Sequence, residues 1–222
     1  VAYLRAMSER GLDVNTVAPR MRFFFSVGTN FFMEVAKLRA ARLLWSQVVE
    51  AFGGDADAGR MVIHARSALY NKTALDPYAN MLRTTIEAFA GAVGGVQSMA
   101  VGPFDEVIRP PDEFSRRIAR NQQIILQSES NLARLIDPAG GSWYVEYLTD
   151  QVAQSAWAQF QQIEGAGGMA QALRDGSPQA DIAEVAQQRT TNLSKRKDRV
   201  VGSNMYANIH EKPLAVAADD GS

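Results

Sequence analysis

Three short apolar runs, at residues 21–27, 61–67 and 96–101, each break into polar and Gly- or Asn-rich residues and lead into a long amphipathic stretch. That alternation is the pattern of β/α units built on a parallel sheet, which places the chain in the α/β class. In such sheets ligand-facing groups gather at the carboxyl ends of the strands. The positions just past the three runs are therefore the candidates for chemistry: Thr29 and Asn30, then Tyr70 to Asp76, then Asp105 and Glu106.

The segments between these runs follow the same pattern. Gly11-Leu12-Asp13 closes an opening helix, and the Ala18-Pro19 step forces extended backbone into the first strand. The run Arg22-Phe23-Phe24-Phe25-Ser26-Val27 suits a strand buried on both faces. Its three phenylalanines, with Phe31 and Phe32, are expected to fill the layers between strands and helices. A helix follows over 30–52 and stops at Gly53-Gly54. The second unit reads as strand 61–67, a loop, and a helix over 78–92 with Asp76 as N-cap and Pro77 in the first turn. The third strand leads through Gly102-Pro103 to a helix capped by Asp112 and running to Ser128.

Beyond the turn cluster Asp137-Pro138-Ala139-Gly140-Gly141-Ser142, where turn chemistry is a simpler reading than an anion nest, the β/α rhythm stops. Trp143-Tyr144-Val145-Glu146 reads as a short aromatic segment pinning the linker, ahead of helices over 149–164, 169–174 and 178–196. The last turns Ala183, Val185, Ala186 and Leu193 inward, and its end, Lys195 to Arg199, reads as a solvated helix terminus. Val200 to Asn204 reads as one more extended piece. The expected organisation is β/α units over 1–136, a helical extension over 137–208 and a tail over 209–222.

Charge and composition exclude several functions. A formal charge of −1 over 222 residues gives no electrostatic case for nucleic acid or an anionic membrane surface. Without cysteine there are no disulfides, thiolate nucleophiles or Cys-ligated zinc, which is compatible with a cytoplasmic setting. No apolar run reaches the ~20 residues of a membrane span. The chain opens at Val1 inside a helical pattern, so it is expected to be a segment of something longer. Three β/α units do not close an eight-stranded barrel.

Five runs, in unbroken order across residues 12 to 208, carry a resemblance. They are Asn30-Phe31-Phe32-Met33-Glu34-Val35-Ala36-Lys37 with Arg39; Asp76-Pro77-Tyr78-Ala79-Asn80 with Arg83-Thr84; Phe104-Asp105-Glu106; Arg117-Ile118-Ala119-Arg120-Asn121; and the turn cluster at 137–142 with Trp143 to Glu146. Together they closely resemble the acyl-CoA-binding barrel of methylmalonyl-CoA mutases. The resemblance implies the carboxyl-terminal portion of a (β/α)8 TIM-type barrel followed by linker helices. It also implies an adenosylcobalamin-dependent isomerase that interchanges a hydrogen and a CoA-thioester group on neighbouring carbons. CoA would thread the barrel axis, and a corrin held by a separate domain would cover the carboxyl-terminal mouth. In that family the barrel seals radicals from solvent while the cofactor carries the difficult step.

Individual positions follow from the resemblance. Arg20 matches an arginine that contacts CoA phosphate, for which a guanidinium fork is suited; a surface arginine beside a strand is the plainer alternative. Arg22 stands at the neighbouring position, where catalytic subunits carry a serine. His64 matches a strand histidine that either donates to substrate or satisfies a neighbour. Arg66 replaces a glutamine that lines the cavity, and Gly102 replaces an asparagine near the corrin face. Glu106 matches a corrin-facing glutamate, against the alternative of a routine capping pair with Asp105. The family's tyrosine, arginine and histidine for catalysis correspond to positions before Val1, and neither His64 nor His210 sits in its cobalt-ligand motif. The segment by itself is therefore not expected to catalyse.

Asn71-Lys72-Thr73, Ile118 to Gln123 and Gly202 to Tyr206 look closer to the small, non-catalytic subunit of heterodimeric mutases. An arginine inside a cavity for a neutral thioester needs a counter-charge or water. Two functions stand: a segment of the isomerase, or a subunit that pairs with and stabilises a homologous catalytic one.

Overall fold

The computed structural model describes residues 1–214, so the expected tail over 209–222 lies outside the described residues from position 215. Its centre is a three-stranded, all-parallel sheet in the order β1 (Phe23–Val27), β2 (Ile63–Ser67), β3 (Ser98–Ala100). The strands are shorter than the apolar runs that announced them. The lead-in residues still pair at their ends: Phe23 N–H donates to the Val62 carbonyl and Gln97 N–H to that of Ile63.

Among the described residues eight α-helices precede, alternate with or follow the strands: α1 (Ala2–Ser8), α2 (Val14–Val17), α3 (Phe31–Ala51), α4 (Ala79–Val93), α5 (Glu113–Ser128), α6 (Trp143–Gly165), α7 (Met169–Asp175) and α8 (Ser177–Ser194). The β1-α3-β2-α4-β3-α5 order gives neighbouring strands in chain order, as the alternation of runs implies. Helix α3 and helix α6 pack along each other. Arg39, inside α3, donates to Glu146 in the first turn of α6 at 2.8 Å and to Asp137 in the turn before it at 2.9 Å.

Strand alternation divides the sheet into two faces. Phe23, Phe25 and Val27 with Ile63 and Ala65 turn toward the helices and join Leu38, Trp45, Val48, Val49 and Ala90 in the main core. Two smaller clusters, Val35-Val93-Val145 and Ala88-Val101-Ala119, extend it along α3, α4 and α5. The opposite face carries Phe24, Ser26, His64, Arg66, Ser98 and Ala100, and nothing among the described residues covers it. Phe24 is 76% exposed there, so the expectation that it fills a layer is corrected: its parity in the strand puts it opposite Phe23 and Phe25. Phe32 is also half exposed, in edge contact with Tyr144.

Other local readings are corrected as well. Residues 143–146 are the first turn of α6 rather than an aromatic segment before it, because Val145, Thr149 and Ala153 supply a buried helical stripe. Trp143 is almost fully exposed and pins nothing. Asp76 is not the N-cap of α4; it sits at φ +46°, and its N–H donates to the Glu211 carboxylate at 2.7 Å. Asp112 does cap α5, accepting from Ser115 N–H at 2.8 Å. No residue of α8 is buried: of its expected inward face Ala183, Val185 and Ala186 are exposed and Leu193 is partly covered. Val200 to Asn204 forms a tight turn closed by a Val201–Met205 bridge rather than a strand.

Candidate functional site

The bare sheet face is built in two tiers by the register. Phe24, His64 and Ser98 lie side by side in the first, and Ser26, Arg66 and Ala100 in the second, nearer the carboxyl ends. His64 is held from both neighbours: its Nδ1 lies 2.8 Å from Ser98 Oγ, and its ring lies 5.4 Å from that of Phe24. Among the described residues its Nε2 has no partner. A concavity of about 500 Å³ opens on this face, lined by Phe24, Ser26, His64, Arg66, Leu69 and Tyr70.

Three of the four candidate residues converge here. Arg66 Nη2 donates to Glu106 Oε2 at 2.6 Å, joining the end of β2 to the loop after β3. Asp105, wholly buried, turns the other way and accepts from Arg109 Nε at 2.8 Å, which anchors the same loop. The pair Asp105-Glu106 is thus neither a routine cap nor a joint acidic site: one member holds the loop and the other faces Arg66. Arg20 is elsewhere. It follows α2 at the amino end of β1, donates to the Thr16 carbonyl and borders an apolar hollow with Tyr3, Met7 and Leu12. Its neighbour Arg22 is spent on the carbonyls of Pro19 and Met21.

The loop after β2 stands on a buried ion pair. Lys72 Nζ lies 2.7 Å from Glu87 of α4, both side chains are without exposure, and Asn71 donates to the same carboxylate. Burial pushes the Glu87 carboxyl above the ordinary range, against the downward pull of the Lys72 and Asn71 hydrogen bonds. Burial likewise lowers the Lys72 ammonium, opposed by Glu87. Asn80 completes the scaffold, donating to Thr73 and Phe104 carbonyls at 2.9 Å and so linking the loops after β2 and β3.

Tyr70 leaves this scaffold toward the concavity, with its hydroxyl over Gly28 and its ring under Arg189 of α8 at 4.3 Å. Its phenol is raised by burial first and by the Glu34 charge second. The sequence pointed to the 70–76 stretch by position alone; neither the Lys72-Glu87 pair nor the Arg189 contact has a local spacing that announces it. Ser98 and Phe24 were findable, since they share His64's parity on neighbouring strands.

Among the described residues no group of His, Asp and Glu is arranged to hold a metal ion, and no helix is long and apolar enough to cross a membrane. The carboxylate expected to face a corrin is committed to Arg66. These residues do not by themselves form a cobalamin cradle.

Comparison with known proteins places the sequence. The family model for methylmalonyl-CoA mutase matches residues 1–222. A methylmalonyl-CoA mutase of Escherichia coli (strain K12) is 45% identical over 99% of this chain and 31% of its own length. The large subunit from Propionibacterium freudenreichii subsp. shermanii is 44% identical over 100% of this chain and 31% of its own. The small subunit from Streptomyces virginiae is also 44% identical, over 96% and 35%. The chain thus spans about a third of the relatives it matches, and identity does not separate the large subunit from the small.

Proposed function

The chain belongs to the methylmalonyl-CoA mutase family, an isomerase family, and from that premise we propose that it is a wall segment of an acyl-CoA-binding (β/α)8 barrel, residues 1–136, followed by a helical extension over 137–208. One observation carries this reading: the bare face of the parallel sheet. Parallel sheets are covered on both faces, and a face bearing Phe24, His64, Arg66 and Ser98 in ordered tiers is the inside of a cylinder whose other strands come from outside this segment. The lining then has two ends. Arg20 stands at the amino end, where it suits the phosphates of CoA, Arg66 lies toward the carboxyl end, where the acyl group would sit, and His64 lies between them.

In this reading the segment binds and shields. His64, steadied by Ser98, donates to a polar atom of the thioester, and Phe24 supplies apolar wall that keeps water from it. Adenosylcobalamin, held elsewhere in the full-length protein, supplies the radical rearrangement of methylmalonyl-CoA to succinyl-CoA or of a related acyl-CoA. No step is derived through it from these residues.

Isothermal titration of the full-length protein with an acyl-CoA tests the reading. His64→Ala should weaken binding about tenfold, the loss of a hydrogen bond and its positioning; an unchanged affinity removes His64 from the site.

A second reading has its own support. The Arg66-Glu106 pair gives the mouth an internal partner in place of a ligand, as suits a non-catalytic subunit that stabilises a homologous mutase subunit. Pull-down of the full-length protein, followed by cobalamin absorbance on the separated subunits, distinguishes the two: corrin colour in this subunit alone ends the second.

A further inference from the structure

The chain beyond the sheet reaches back to one loop, the 70–76 stretch after β2, and touches it at both ends. At its start Tyr70 lies under Arg189 of α8, with the guanidinium carbon 4.3 Å from the ring centre. At its far end Asp76 donates its N–H to the Glu211 carboxylate at 2.7 Å. Gly202 closes against the same residue: a Cβ there would stand 2.6 Å from Asp76 Cβ and Oδ2, and its φ of +83° suits glycine alone. Arg83 of α4 completes the fastening. Its Nη1 donates to Asn80 and Thr73 at 2.7 and 2.9 Å, and its Nη2 to the Val201 carbonyl at 2.5 Å.

Both sides of this contact are held internally. Asn204 accepts from Val200 N–H and donates to the Leu193 and Asp198 carbonyls, which ties the 200–205 turn to the end of α8. The middle of the loop is fixed by the Lys72-Glu87 pair and by Asn80 on the Thr73 carbonyl, so its two ends move together. No residue of α8 is buried, and the fastenings to the loop are polar and ring contacts rather than an apolar core. A segment held in that way opens at low cost.

We propose that residues 189–211 form a latch on the 70–76 loop, and that Tyr70, which also lines the bare-face concavity, couples closure of the latch to occupancy of that concavity. The inference rests on the reading that a CoA thioester enters there. A ligand against Tyr70 confines its ring, and a confined ring keeps Arg189 seated. An open latch frees the ring and the loop together. Coupling of this kind is reciprocal: the ligand tightens the latch, and loosening the latch weakens the ligand.

Hydrogen-exchange mass spectrometry of the full-length protein with and without acetyl-CoA reads the latch, and isothermal titration reads the ligand. Saturating acetyl-CoA should slow exchange over 189–211 by about fivefold or more, the low end of coupling between sites. Gly202→Val should open the latch and weaken acetyl-CoA by about the same factor, with exchange in α3 unchanged. Arg189→Ala should abolish the ligand-dependent slowing while acetyl-CoA still binds, and Arg189→Lys, which keeps a cation over the ring, should restore it. Bound acetyl-CoA with unchanged exchange over 189–211, slowing that survives Arg189→Ala, or undiminished affinity in Gly202→Val overturns the coupling and leaves the channel standing. If acetyl-CoA does not bind the wild-type protein, the channel reading falls, and the coupling with it.

Discussion

At the scale of single residues, the buried pair Lys72-Glu87 shows how much a loop position can cost to hold. Both groups are shifted toward neutrality by burial and held back from it by each other. Lys72→Met leaves Glu87 buried without its cation, and the full-length protein should lose about 3–5 kcal/mol at pH 8. The sign of the pH dependence follows from the raised carboxyl. A group whose pKa rises on folding contributes stability that is present below its unfolded value and lost as pH rises through the folded one. The deficit of Lys72→Met should therefore shrink as pH falls through the carboxylate range, and Lys72→Met/Glu87→Leu should recover most of it, both read from urea midpoints. Nothing in the local sequence announces this pair, because its members are fifteen residues apart and meet through the packing of a loop on α4. Position after the third run pointed to Glu106, and the family resemblance pointed to His64 and Arg66; that Arg66 and Glu106 spend themselves on each other was not legible in either.

At the scale of elements, helix starts show where local chemistry suffices. Asp112 announces α5, and its carboxyl is held below the ordinary aspartate range first by the Ser115 backbone N–H. Its contribution is present above that range and is lost as pH falls through the lowered value. Asp112→Ala should speed amide exchange over residues 113–116, read by hydrogen-exchange mass spectrometry. At α4 and α6 the same kind of reading failed for physical reasons. Asp76 is drawn out of capping by Glu211, far along the chain, and the aromatic cluster opening α6 has strand propensity that a buried helical stripe overrides. The placement of α8 is a contact between elements: Tyr70 reaches Arg189 only because Gly28 leaves room for the phenol, whose oxygen lies 2.2 Å from where a Cβ would be. Gly28→Ala should displace the ring and raise exchange in α8 while leaving α3 protected.

At the scale of the whole molecule, the β/α order, the parallel pairing and the chain-order sheet were legible from three apolar runs. The split of those runs into a packed and a bare face was not, because short strands with aromatics on both parities look alike on either side. The bare face carries a prediction of its own. Residues 1–222 expressed alone should bind a dye such as ANS strongly through Phe24, Leu69 and Tyr70, and the full-length protein should not. Equal dye binding would show that no further strands cover this face.

The two faces also divide the labour of descent. Side chains that hold strands to helices alternate with side chains that meet a ligand, so a substitution at 64, 66 or 98 leaves the helix packing untouched. A lineage carrying this architecture is free to surrender its reaction position by position while its outline endures, and a retired enzyme would keep the silhouette of a working one.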